Sequence, residues 1–320
     1  MTPTMKIAYI TAGAAGMYCG SCLHDNTLAA TLIGMGHDAL LIPTYTPITT
    51  DEPDVSTPRV FFGGINVYLQ ERFALFRHTP WFLDRLFNWR PLLRWVSRFA
   101  VNTPYETMGA LTVSMLQGEH GHQRKEVAKL VHWLQHDVKP EIVNLSNVLL
   151  SGAVHEIKQV LKVPVVASLQ GDDIFLEALP EPHRTRALDL IRAHCREIDG
   201  FLATSNYYAE FMSEYLSIPR DRIHVIHPGL NLTGHGGQKP RDATSSLTVG
   251  YFARICPEKG LHVLADALHL LKDARGVPAH RVRISGWLGG KDRPYFEDVK
   301  RKLAKGKIAF EHIESPDHAS

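Results

Sequence analysis

Apolar positions along the chain follow two alternating patterns: short continuous runs rich in β-branched residues, and longer stretches where apolar residues return every three or four positions. The runs KIAYIT (6–11), ALLIP (39–43), EIVNL (141–145), VPVVASL (163–169), DGFLATS (199–205) and IHVIH (223–227) read as strands. Stretches between them, 184–197 and 206–217 among them, carry the helical period. Leu28, Leu32 and Ile33 are expected to form the buried face of a first helix ending at Gly36. Strands that are apolar on both sides and alternate with helices imply a parallel sheet covered on both faces, a doubly wound domain.

The segment PGLNLTGHGGQKPRDATSS (228–246) has neither period and is rich in Gly, Pro, Ser and Thr, so it reads as a linker. After it the alternation restarts, with strands at LTVGYFA, RVRISG and KIAF and helices over 260–273 and 294–304. The expected organisation is a Rossmann-like domain over 1–227, the linker, and a second, smaller Rossmann-like domain over 247–320, the two facing a cleft. Ligands of such sheets bind beyond the C-terminal strand ends, so each loop after a strand is a candidate site.

Composition narrows the classes. The chain has 320 residues, 44% of them hydrophobic and 21% charged, with a formal net charge of +2. That balance excludes a bulk polyanion-binding protein, and no nucleic-acid partner is expected. There is no apolar run long enough to span a bilayer, and four cysteines in this length do not make a disulfide framework, so a cytoplasmic location is expected.

Several loops carry candidate chemistry. AGAAGMYCGSC, after the first strand, offers Gly13, Gly16 and Gly20, which departs from the G-x-G-x-x-G spacing of dinucleotide sites; it suits either close approach to a ligand or a tight turn alone. Cys19 and Cys22 make one C-x-x-C near a helix start, readable as chance proximity or as a redox pair. His24 is close by, but no second C-x-x-C supplies a zinc set. The middle segment, about 60–115, breaks the alternation and reads as an insertion. Trp81, Trp89 and Trp95 interleave there with Arg85, Arg90, Arg94 and Arg98, the last three at helical spacing. These residues read either as the insertion's own packed core or as a basic, aromatic surface for an acceptor or for the inner face of an anionic membrane.

The stretch GYFARICPEKGLHVLADAL places Arg254 at a strand end and Lys259 in the first turn of a helix whose apolar positions Leu261, Leu264, Ala265 and Leu268 face the sheet. Two cations beside helix N–H groups suit a diphosphate; the alternative is two solvated charges on a surface turn. Asp172 and Asp173 are adjacent rather than spaced as a metal pair, so no metal and no cofactor are expected.

This stretch, with MGHDALLI (35–42), VPVVASLQGDDI (163–174), FLATSNYYAEFM (201–212) and IHVIHPGLN (223–231), resembles the retaining GT-B glycosyltransferases of the group-1 or family-4 class over most of 1–55 and 140–310. R-x-x-P-E-K-G is the most specific piece. FGGINVYLQERFALF is similar to a segment of glycogen-synthase-like enzymes. The resemblance implies a hexosyltransferase that takes a nucleotide-sugar and a glycan, lipid-linked or small-molecule acceptor. Arg254, Lys259 and Gly16 would bind the donor diphosphate, and Gln170, Gly171, Asp172 and Asp173 would form a loop near the sugar. The first domain would handle the acceptor, with Arg90, Arg94 and Arg98 on that side, and the second the donor. No catalytic residue is assigned.

Two departures accompany it. Gln170 stands where members commonly have His. The acidic E-x7-E element of the C-terminal domain does not follow KIAFEHIESPDHAS, so the second domain is expected to be incomplete and the chain truncated. A non-catalytic nucleotide-sugar or glycan-binding protein and a dinucleotide- or thiol-dependent oxidoreductase are the alternatives. Charge reversal at Arg90, Arg94 and Arg98 is expected to weaken binding to anionic vesicles or to the acceptor; a folded triple variant that co-sediments with vesicles and binds acceptor as before would leave only the packing reading.

Overall fold

The computed structural model describes residues 3–13, 20–50, 52–63, 67, 69–71, 74–77, 105–232, 247–272 and 280–314. The chain divides into two units, Met1–Asn231 and Leu232–Ser320.

In the first unit, six parallel strands stand in the order β2-β1-β3-β4-β5-β6: β1 (Lys6–Thr11), β2 (Asp38–Pro43), β3 (Ile142–Leu145), β4 (Val165–Leu169), β5 (Gly200–Ala203) and β6 (Ile223–Val225). Each lies within a residue or two of the run read from the sequence. Register is set from Lys6 opposite Asp38 to Thr11 opposite Pro43, and from Ile7 opposite Ile142 to Ile10 opposite Leu145. The inner strands are apolar because both faces are covered: Ala8, Tyr9, Ile10, Val143, Leu145, Ala167, Leu169 and Phe201 are all buried. The order reverses direction between β1 and β3, and the crevice above their C-terminal ends is the switch point where such sheets bind ligands.

Helices α1 (Gly20–Gly34), α2 (Tyr105–Leu116), α3 (Arg124–Trp133), α4 (Val154–Leu161), α5 (Asp172–Glu177), α6 (His183–Cys195) and α7 (Asn206–Leu216) belong to this unit. At the start of α7 the Ser205 hydroxyl accepts the Tyr208 N–H, and the helix stops at Ser217, whose φ of 55° is left-handed. Helix α1 corrects the reading of its pattern. Its buried positions are Cys22, Asp25, Asn26 and Ala29, whereas Ile33 is exposed and Leu28 and Leu32 are only partly covered. The helix ends at Gly34, and Gly36 turns the chain with a φ of 92°. A polar stripe is buried because β1 presents hydroxyls to it: Tyr9 Oη and Thr11 Oγ1 donate to the two Asp25 oxygens at 2.6 and 2.5 Å. Apolar periodicity does not register such a face.

The second unit holds β7 (Leu247–Phe252), β8 (His280–Gly286) and β9 (Ala309–Glu314), parallel in that order, with α8 (Leu261–Lys272) and α9 (Arg293–Lys305) between them. Here the strands advance in one direction, and right-handed crossovers then place both helices on the same face. Tyr251, Val282 and Ile284 pack with Leu261, Ala265, Leu268, Phe296, Val299 and Leu303. The opposite face presents Thr248, Phe252, Arg281 and Arg283, all exposed. The described part of this unit is thus wound on one face only, a three-stranded sheet that fits an incomplete second Rossmann-like domain. No helix among the described residues is long and apolar enough to cross a membrane.

At the end of β8, Gly286 has a φ of 145°, and a Cβ there would lie 1.9 Å from the Ala253 carbonyl oxygen. Gly260 also has positive φ, at 72°, but nothing lies within 4 Å of its Cβ position. Gly286→Ala should therefore lower unfolding free energy by about 2–4 kcal/mol, and Gly260→Ala by only about 1 kcal/mol. Denaturant unfolding of both variants reads the difference; equal losses would mean that the close approach to Ala253 does not constrain the fold.

Candidate functional site

In the first unit the C-terminal ends of β1, β3, β4 and β5 carry the polar groups. The turn after β4 is tightly specified. Gly171 takes a φ of 81°, a left-handed conformation that favours glycine. The Gln170 N–H donates to Asp172 Oδ2 at 3.1 Å, and Gln170 Nε2 donates to the Ser146 carbonyl at 3.0 Å, which ties this turn to the loop after β3. The Gly171 N–H donates to the Tyr208 hydroxyl at 2.7 Å, which in turn donates to Asp173 Oδ1 at 2.6 Å. Gln170, Gly171, Asp172 and Asp173, named from the sequence as one loop, are thus held together by their own hydrogen bonds and by Tyr208 of α7. Sequence reasoning missed Tyr208, because only folding brings it across 35 positions to Asp173.

Asp172 is 2% exposed, and its Oδ1 has no hydrogen-bond partner. Burial pushes its carboxyl up from the ordinary 3.8 to about 7, partly offset by N–H groups of Gln170, Asp172 itself and Val148. The neighbouring Cys195 thiol is pushed up to about 12, first by burial and then by the Asp172 charge. Asn144 Oδ1 and Asn147 Oδ1, on β3 and just beyond it, are also buried acceptors without a partner. Three buried acceptors without a protein partner thus gather around the ends of β3 and β4, an unusual concentration of unsatisfied polarity.

Beyond β1, Gly13 has a φ of 75°, and a Cβ there would meet the Thr46 carbonyl oxygen at 2.2 Å, so this glycine serves the close packing of its turn against the loop after β2. Gly20 opens α1 with nothing within 4 Å of its Cβ position. Cys22 is buried in α1. Gly16, Cys19, Arg90, Arg94 and Arg98 lie outside the described residues. Among the described residues no three His, Cys, Asp or Glu side chains gather as a metal site.

In the second unit, Arg254 and Lys259 are both exposed on the connection between β7 and α8. Ile255 anchors this connection: fully buried, it donates its N–H to the Trp287 carbonyl at 2.9 Å, so the loops after β7 and β8 run side by side. Arg254 Nε donates to Cys256 Sγ at 3.3 Å, and the Arg254 carbonyl accepts the Tyr251 hydroxyl at 3.1 Å. Glu258 is held below the usual carboxylate range by the Cys256 thiol and its own N–H, and Arg254 and Lys291 act on it in the same direction. The N–H groups of α8 are less open than the sequence implied. That of His262 is already taken by the Tyr295 hydroxyl at 3.2 Å, and those of Val263 and Leu264 bond to the Gly260 carbonyl. Charge in this connection is therefore carried by side chains more than by the helix end.

The raised Asp172 carboxyl has a stability consequence. Below the ordinary carboxylate range both folded and unfolded chains hold the proton; between about 4 and about 7 only the unfolded chain loses it, so this residue's contribution falls as pH rises and is constant above that window. Asp172→Asn cannot ionise. Its decline in unfolding free energy between about pH 4.5 and about pH 7.5 should be smaller than that of the parent by about 2–3 kcal/mol. Urea unfolding at the two pH values measures this; parallel profiles would place the charged form of Asp172 in a more polar setting than the one described.

Comparison with known proteins adds a family and a fold. Residues 111–233 match the sequence family Glycosyltransferase Family 4. No curated protein matches the chain. Among solved structures, HepE of Anabaena in complex with UDP and glucose superposes with a TM-score of 0.57 at 16% identity, covering 98% of this chain and 70% of that one. Sucrose-phosphate synthase of Thermosynechococcus elongatus gives 0.55 at 11% identity, with 98% and 71% covered. The lipopolysaccharide outer core galactosyltransferase WaaB in its apo form gives 0.53 at 14% identity, with 98% and 69% covered. The chain thus has the α/β fold of the GT-B glycosyltransferases, and its residues 111–233 match Glycosyltransferase Family 4.

Proposed function

We propose that this protein is a glycosyltransferase that moves a sugar from a nucleotide-sugar to an acceptor hydroxyl with retention of configuration. The observation that carries the reading is the strand-to-helix connection Arg254–Gly260 in the second unit, with two exposed cations on a loop anchored by buried Ile255. The Glycosyltransferase Family 4 segment in the first unit supports it, as does the likeness in fold to HepE, whose structures hold UDP, glucose and UDP-glucose.

In the reaction, the bond between the anomeric carbon and the diphosphate oxygen breaks and its electron pair stays on that oxygen. The acceptor oxygen bonds to the anomeric carbon and gives up its proton to the leaving diphosphate. Negative charge accumulates on the leaving diphosphate, and in this reading Arg254 and Lys259 offset it. Such contacts strengthen as the bond breaks, so they accelerate transfer rather than merely retaining the donor. In this reading the second unit serves the donor and the first the acceptor. No metal is required in this scheme, because the two side-chain cations supply the charge.

A charged hydrogen bond is worth about 1.5–3 kcal/mol, or roughly 10- to 150-fold in binding. Arg254→Ala and Lys259→Ala should each weaken binding of a nucleoside diphosphate by a factor in that range, with far less effect on the bare nucleoside and little on stability. Calorimetric titration of both ligands tests this. Equal losses for the two would show that these residues do not read phosphate, and the donor assignment would fall.

A further inference from the structure

Helix α7 carries an aromatic ridge in which Tyr215 packs against the core while Tyr207 and Phe211 stand outside it. Its inner face is Ala209, Met212 and Leu216, all fully buried. On the other side Tyr207, Phe211 and Tyr215 follow one another at i, i+4 and i+8. Tyr207 and Phe211 have ring centroids 6.5 Å apart with planes 8° from parallel; Phe211 and Tyr215 are 5.6 Å apart at 14°. Near-parallel rings at these centroid separations are offset-stacked, so each covers only part of its neighbour's face. Tyr207 is 80% exposed and Phe211 37%, and Ile174 of the adjoining α5 is 58% exposed. Pairs at i, i+4 do support an isolated helix, but α7 is already anchored by its buried face, and a largely exposed tyrosine at the end of the row adds little to that anchoring.

The ridge is continuous with the turn at the end of β4. Tyr208, whose ring stacks on Phe211 at 6.1 Å, is the residue whose hydroxyl bonds to Gly171 and Asp173. Farther along, the Tyr215 hydroxyl donates to Glu177 at 2.8 Å, so α5 lines the ridge with carboxylates from one end to the other. The nearby basic groups are engaged: Arg184 pairs with Glu177 and Glu181, and Arg220 with Glu210.

We infer that the row Tyr207–Phe211–Tyr215 is an outer subsite for a neutral carbohydrate acceptor, holding sugar residues beyond the one that reacts. This rests on the glycosyl-transfer reading above. A pyranose has an apolar face of C–H groups, whose positive edge suits the negative face of an aromatic ring, and a rim of hydroxyls, which suits carboxylates and tyrosine hydroxyls. With Arg184 and Arg220 held in ion pairs, no free cation borders the ridge among these groups to attract a phosphorylated acceptor or an anionic bilayer. Eight residues of helix span about 12 Å, so the ridge meets more than one ring of a chain.

The test uses the whole chain and neutral oligosaccharide series, maltose to maltohexaose, cellobiose to cellohexaose and chitobiose to chitohexaose, with binding followed by saturation-transfer NMR and titration. At least one series should bind more tightly with each added unit. Tyr207→Ala and Phe211→Ala should each lose about 3- to 12-fold at the longer lengths. Tyr207→Phe should retain most of the affinity. The double alanine variant should lose the dependence on length while titrating nucleoside diphosphate as the parent does. Length dependence that survives the double substitution, or no binding of any series by the parent, overturns the subsite. Binding to phosphatidylcholine vesicles that disappears in the double variant overturns it in favour of a bilayer contact. Failure of nucleoside-diphosphate binding in the parent bears instead on the donor assignment, so the two readings fail separately.

Discussion

Two parallel strands in one sheet can be joined only by a crossover, and its right-handedness decides which face the intervening helix covers. In the first unit the strand order turns back on itself between β1 and β3, so helices reach both faces and the inner strands are buried throughout. In the second the order runs one way, the two helices share a face, and Phe252, Arg281 and Arg283 stand on the other. The same rule sets where chemistry can occur. All strand ends of one kind lie along one edge, so loops far apart in the chain converge there.

Part of the first unit's buried polarity lies along that edge. Asp25 accepts the hydroxyls of Tyr9 and Thr11, and so stabilises the end of β1 against α1. Short hydrogen bonds to a carboxylate are stronger than neutral ones, and removing the carboxylate would strand two buried hydroxyls. Asp172 is in the opposite position: as deeply buried, with one oxygen unpartnered. A group of this kind costs stability unless something else gains by it, and such groups gather where ligands bind. The turn 170–173 therefore reads as a place where stability is given up to keep a polar group buried.

The connection Arg254–Gly260 follows a different plan. Its backbone is held by buried Ile255 and by the close approach of Gly286 to Ala253, while its charged side chains are exposed. Under the proposed transfer, an anchored backbone with exposed cations suits a ligand whose charge grows during reaction, because the loop need not be reorganised when it does.

The strands and helices were legible in the sequence because burial on one or both faces imposes a period on the residues themselves: KIAYIT, VVASL and the row Leu261–Leu264–Ala265–Leu268 report their surroundings directly. The junction R-x-x-P-E-K-G was legible too, since its turn residues and charges are contiguous. What only the tertiary structure decided involves partners distant along the chain. The buried side of α1 is set by hydroxyls of β1, against the apolar pattern of Leu28, Leu32 and Ile33. Tyr208 closes the 170–173 turn from 35 residues away, and Tyr295 takes an N–H of α8 from 33 residues away. Hydrophobic periodicity records how much water a position meets. The identity of a hydrogen-bond partner leaves no such period, and so it emerges only once the strands are aligned.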